Sequence, residues 1–75
     1  MFKTQLFDVI DHSKIDVDAG VAAANAISIL VRARVSFNGA DLRGIRIPGA
    51  NLRGGLFDSA NLEGADLSYA NMAKT

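Results

Sequence analysis

The sequence predicts an α+β domain, mainly β, in which a helical N-terminal segment caps a chain that coils by fives. Three observations predict it. Residues 35–74 repeat every five residues without a slip of register. The residues ahead of them place apolar side chains at helical spacing. A chain of 75 residues holds one small domain, so both parts must share a core.

From Val35 the chain divides into VSFNG, ADLRG, IRIPG, ANLRG, GLFDS, ANLEG, ADLSY and ANMAK. The third place of each unit is large and apolar: Phe37, Leu42, Ile47, Leu52, Phe57, Leu62, Leu67 and Met72. The first is small or β-branched, as in Val35, Ala40, Ile45 and Ala50. These places lie two apart, so in extended backbone they face the same side and build one apolar column. The second place is Asp or Asn in five of eight units, and the fifth is Gly in five of eight. Asp and Asn side chains bond nearby backbone and hold a corner, while Gly turns the chain without steric cost. A period of five suits neither a helix nor a plain strand. It requires a short extended piece and a turn, repeated, with the column inside.

The units ADLRG, ANLRG, ANLEG, ADLSY and ANMAK resemble the pentapeptide-repeat family, whose pattern is A-(D/N)-L-x-x. VSFNG, IRIPG and GLFDS follow it loosely. The resemblance implies a right-handed quadrilateral β-helix, a solenoid with one unit per side and two coils in this chain. Four sides place residue n over residue n+20. That expectation stacks Phe37 on Phe57, Arg43 on Glu63, Arg46 on Asp66 and Asn51 on Asn71. Pro48 has no N–H for a ladder, so its side is expected to be bent or weakly paired.

Residues 1–34 form the expected helical cap and residues 35–75 the repeat β-helix. Ala19 to Arg34 reads as a helix, with Ala23, Ile27 and Leu30 on one stripe and Ala24 and Val31 beside it. Asp16 and Asp18 at its start and Arg32 and Arg34 at its end suit its dipole. No Gly closes it; Arg34 stands where one is expected. Phe2 to Ser13 reads as a second helix, with Phe2, Leu6, Val9 and Ile10 at helical spacing. A cap is physically required, because a bare end exposes unpaired backbone. Residues 24–52, ANAISILVRARVSFNGADLRGIRIPGANL, also resemble the repeat segment of signalling proteins with a NACHT-type NTPase domain and WD repeats. That likeness implies a linker module, and no NTPase function carries over to it.

Chemistry is sparse. There is no cysteine, hence neither disulfide nor thiolate site. His12 is the only histidine and reads as a surface helix residue rather than a metal ligand or base. Asp41, Asp58, Glu63 and Asp66 fall on outward or corner places, not in a shared acid–base pocket. The glycines match no phosphate-loop pattern. Arg43, Arg46 and Arg53 form a small basic group interleaved with acids, which reads as a solvated or paired face rather than a nucleic-acid site. The expectation is therefore no enzyme, no cofactor and no metal.

Eight basic residues balance eight acidic ones, which gives no pull toward nucleic acid or acidic lipid. The most apolar run, Ala19 to Val31, is 13 residues long, includes Asn25 and Ser28, and is shorter than the about 20 residues of a membrane span. A cytoplasmic, non-catalytic scaffold or interaction module is expected. Its partner would be a protein, a neighbouring domain, or a second copy docked through the C-terminal coil. Leu56 and Tyr69 interrupt otherwise polar or glycine outer places and are the candidate interface residues. The rival reading is a DNA mimic that inhibits a type II topoisomerase. Two coils stand about 10 Å tall, and DNA of that height carries about six negative charges. The repeat instead balances Asp41, Asp58, Glu63 and Asp66 with Arg43, Arg46, Arg53 and Lys74.

Overall fold

The computed structural model describes the backbone of residues 2–75 and the side chains of residues 4–75. Two α-helices open the chain, α1 (Phe2–His12) and α2 (Gly20–Arg32), separated by a 3-10 turn at Val17–Ala19. They pack on each other as a hairpin. The side chain of Phe2, expected on the inner stripe of α1, lies outside the described side chains. Ile10 is buried, and Leu6 and Val9 pack half-buried beside it. On α2, Ala23, Ala24, Ala26, Ile27, Leu30 and Val31 are buried. Asp16 caps the 3-10 turn by accepting the Asp18 N–H at 2.9 Å, while α2 itself begins without a side-chain cap.

Helix α2 stops two residues before its expected end, and Arg34 explains how. Its φ is +65°, the left-handed position that a closing Gly normally takes. The Arg34 N–H donates to the Val31 carbonyl and the Val35 N–H to the Leu30 carbonyl, each at 3.0 Å. These are the two bonds of a Schellman closure. Arg34 also lies five residues ahead of Gly39, so the helix ends in phase with the repeat.

The expected class, mainly β with a right-handed quadrilateral β-helix, is corrected by the structure. Among the described residues there is no strand and no sheet; the regular secondary structure is helical. Strand-like pairing is limited to four isolated parallel bridges: Ser36 with Leu56, Asp41 with Asn61, Arg46 with Asp66, and Asn51 with Asn71. The reason is the period. Each unit spends its fourth and fifth residues on a turn and leaves one bridging residue at its second place, too little for a ladder.

What residues 35–75 do form is a stack of turns. All four bridges join residues twenty apart, so residues 35–54 make an upper tier and 55–74 a lower one. Every fifth place has positive φ, whether it holds Gly or, at Ser59, Tyr69 and Lys74, another residue. Each turn is closed by the next unit's first N–H on the third-place carbonyl, as from Ala40 to Phe37 at 3.0 Å. A left-handed third residue is the requirement of a type II turn, which also favours Pro just before it. Pro48 holds that place, ahead of Gly49. The bend expected at Pro48 is therefore absent: Ile47 N–H reaches the Asp66 carbonyl at 3.0 Å, and Gly49 N–H reaches Ser68 at 2.7 Å.

The helices cover the upper tier, and the core lies between them. Phe37, Leu42, Ile45, Ile47, Ala50 and Leu52 join the buried residues of α1 and α2 in one cluster. Phe7, Phe37 and Phe57 form an aromatic column through the helical layer and both tiers. The first pair is tilted with ring centres 5.6 Å apart, and the second is stacked at 5.1 Å. The Phe57 ring lies over Gly55, where an added Cβ would collide with Cε2. Phe57 therefore fixes Gly at a first place that holds Ala in five other units.

Candidate functional site

Turn corners present outward a row of fourth-place N–H groups that need acceptors. The second-place side chain usually supplies one. Ser36, Asp41, Asn51, Asn61, Asp66 and Asn71 accept from Asn38, Arg43, Arg53, Glu63, Ser68 and Ala73 at 3.0–3.2 Å. Two units lack an acceptor there. Arg46 is followed by Pro48, which has no N–H to satisfy. Leu56 is followed by Asp58, whose N–H goes to the Asn38 side chain in the tier above at 2.8 Å.

The corner chemistry also shapes the charges. The Arg43 guanidinium forms a two-pronged pair with Asp41, both bonds 2.8 Å, and does not meet Glu63 as expected. That contact, then the Arg43 N–H, holds the Asp41 carboxyl far below the usual carboxylate range. Arg46 turns away from Asp66 toward the helical layer, donating to the Ser13 and Lys14 carbonyls at 2.7 and 3.1 Å. These lie just past α1, where a cation suits the dipole. The Asp66 carboxyl is lowered first by the Ser68 hydroxyl and N–H, with Arg46 contributing at longer range. The side-chain amides of Asn51 and Asn71 each accept their own corner's N–H, although their backbones bridge.

Backbone bonds between the tiers have a direction. Third- and fifth-place N–H groups of the upper tier donate downward, as from Leu42 to Asn61 at 2.8 Å and Gly44 to Glu63 at 3.0 Å. The second-place N–H groups of three of the four lower units donate upward, as from Asn61 to Ala40 at 2.9 Å. The upper side of a tier is thus rich in acceptors and the lower side in donors. The helical layer meets the upper side with serine hydroxyls. Ser13 Oγ accepts the Arg46 N–H and Ser28 Oγ the Asn51 N–H, both at 2.9 Å. Each hydroxyl in turn donates to its own helix, Ser13 to the Ile10 carbonyl and Ser28 to that of Ala24. Sequence reading missed both serines, since nothing local separates them from ordinary helix serines.

The lower side of residues 55–74 has no such cover among the described residues. Phe57, Leu62, Leu67 and Met72 are half-buried, while their upper counterparts Phe37, Leu42, Ile47 and Leu52 are buried. The N–H groups of these four lower residues and of Ser59, Gly64, Tyr69 and Lys74 find no described acceptor. The candidate interface residues do not come together. Leu56 is 49% exposed and Tyr69 97% exposed, in units two sides apart within a tier of four. His12 Nε2 lies 3.3 Å from the Asp16 carboxylate. Among the described residues no three His, Cys, Asp or Glu side chains gather as a metal set, and no helix is long and apolar enough to cross a membrane.

Residues 49–75 match the family model for pentapeptide repeats (8 copies). The match begins at Gly49; VSFNG, ADLRG and most of IRIPG precede it, yet they pair at twenty residues with units inside it. No curated protein and no solved structure matches the chain, so nothing carries the likeness of residues 24–52 to NACHT and WD-repeat proteins further.

Proposed function

We propose, from the premise that residues 49–75 are a pentapeptide-repeat segment, that the chain is a non-catalytic interaction module engaging a protein edge through the lower side of residues 55–74. The observation that supports this reading is the asymmetry of the stack. One side is closed by two helices and two serine hydroxyls. The other presents a half-buried apolar column ringed by backbone donors.

Direction selects the partner. By equivalence with Ala40, Ile45 and Ala50 above, the lower side sets eight N–H groups against the carbonyls of Ala60, Ala65 and Ala70. Its complement is an acceptor-rich edge, such as a further tier running in the same direction in a neighbouring segment or partner. A second copy docked tail to tail would set donors against donors and leave buried N–H groups unpaired, at about 1–3 kcal/mol each. The docking of two copies through this coil, expected from sequence, is thereby disfavoured. DNA mimicry remains opposed by the balanced charges of the repeat.

The test appends a copy of residues 56–74 after Thr75, which already holds the first place of the next unit, and follows thermal unfolding, with light scattering of the original chain over a concentration series. The reading expects a higher Tm for the extended chain and a monomeric mass for the original. A stable dimer of the original, with no gain from the added tier, would replace it with self-association.

A further inference from the structure

Four of the chain's eight basic residues line a single open cleft of about 410 Å³. They arrive from three places: Arg32 and Arg34 from the end of α2, Arg53 from the upper tier, and Lys74 from the lower. No carboxylate lines the cleft. Three cations elsewhere are occupied: Arg43 pairs with Asp41, Lys14 with Asp11, and Arg46 bonds carbonyls past α1. Arg32, Arg34, Arg53 and Lys74 form no ion pair and donate no side-chain hydrogen bond among the described residues. In a chain of zero net charge, this is a sorting of charge rather than a result of composition.

The backbone fixes where two of these cations stand. Arg34 has φ +65° and Lys74 φ +60°. Both occupy left-handed corners, strained for any residue with a Cβ, and Gly fills five of the eight fifth places in the repeat. The carbonyls of Leu30 and Val31 are already met by the N–H groups of Val35 and Arg34, so α2's closure does not need the guanidinium groups.

We propose that this cleft binds a compact, multiply charged phosphate anion of the di- or triphosphate class. Guanidinium forks match phosphate oxygens in pairs, and Lys adds a point charge. A triphosphate carries several negative charges in a body small enough for a cleft of about 410 Å³. A nucleic-acid strand would need a basic track, whereas Asp41, Asp58, Glu63 and Asp66 interrupt the rest of the repeat surface.

Calorimetric titration of the full chain with tripolyphosphate tests this. Saturable one-to-one binding that weakens with added salt is expected. Arg53→Gln should weaken it about tenfold or more, as removal of a charge-assisted pair does. Arg43→Gln, outside the cleft, should change it less than about twofold. Arg34→Gly and Lys74→Gly should raise Tm while weakening binding, opposite movements that a purely structural role would not produce. The proposal is overturned by no binding at low salt, or by equal affinity in Arg53→Gln and the parent chain. Tighter binding of a polyglutamate peptide or an oligothymidylate than of tripolyphosphate overturns it as well.

Discussion

Tyr69 carries the apolar side chain that the sequence offers as an interface, but its backbone tells more. At φ +61° and 97% exposure it holds a left-handed corner with almost no packing in return. Ser59 is in the same position at φ +61°. A left-handed residue with a Cβ is strained by about 1–2 kcal/mol, part of which Gly loses again through its freer unfolded chain. Tyr69→Gly and Ser59→Gly should each stabilise by about 1 kcal/mol in urea unfolding. A loss of stability in Tyr69→Gly would mean that the ring packs in a way the structure does not show. Asp66 gives a prediction in pH. Its carboxyl is held below the usual 3.8 by Ser68, so folding favours the charged form. The stability it contributes is present above the unfolded value and is lost as pH falls through the lowered one. Asp66→Asn keeps an acceptor for the Ser68 N–H, as Asn51, Asn61 and Asn71 do in their own corners. The variant should melt with a shallower loss of Tm on acidification to about pH 2 than the parent chain. Equal slopes would remove Asp66 from the acid response.

Helix and tier meet through hydroxyls, so the cap is specified by hydrogen bonds as well as by apolar area. Ser13 is fully buried, and its Oγ bridges the Ile10 carbonyl and the Arg46 N–H. Removing it leaves that N–H without a partner next to the core. Ser13→Ala should cost about 1–3 kcal/mol, and the less enclosed Ser28→Ala toward the lower end of that range, by denaturant unfolding. A neutral Ser13→Ala would show that water replaces the hydroxyl. At this scale much was legible. The third-place column, the stack of Phe37 on Phe57 and the helical spacing of Ala23, Ile27 and Leu30 follow from periodicity, which one sequence displays. The two ion pairs expected across tiers were not, because Arg43 has a nearer partner in its own corner and Arg46 is drawn to α1. The mainly β class failed for a related reason: apolar spacing reports which way side chains face, not how many residues pair before the next turn. Ser13 and Ser28 were illegible because their acceptor role is set by residues 33 and 23 positions away. The basic cleft escaped for the same reason, its four cations being spread over residues 32–74.

Across the whole molecule, stability should fall from the capped side to the open one. The upper tier has the helical layer above and a tier below; the lower tier has a neighbour on one side only. Identical places in the repeat therefore sit in unlike surroundings, and amide exchange can read the difference place by place. The N–H groups of Phe37, Leu42, Ile47 and Leu52 donate to Leu56, Asn61, Asp66 and Asn71 at 2.8–3.0 Å. Those of Phe57, Leu62, Leu67 and Met72 point the same way along the stack and find no described acceptor. Exchange needs an open, solvated N–H, so the first four should be protected to nearly the global unfolding free energy and the second four should exchange through small openings. The second-place N–H groups invert the comparison within the lower tier. Asn61, Asp66 and Asn71 donate upward to Ala40, Ile45 and Ala50 at 2.8–2.9 Å, so they should exchange more slowly than the third-place N–H beside them. This alternation of slow second place and fast third place follows from the direction of the backbone bonds, not from burial, since the third-place side chains are the more buried of the two. Uniform protection along 55–74 in the isolated chain at low concentration would mean that the lower side is covered, and that the direction argued for its partner is wrong.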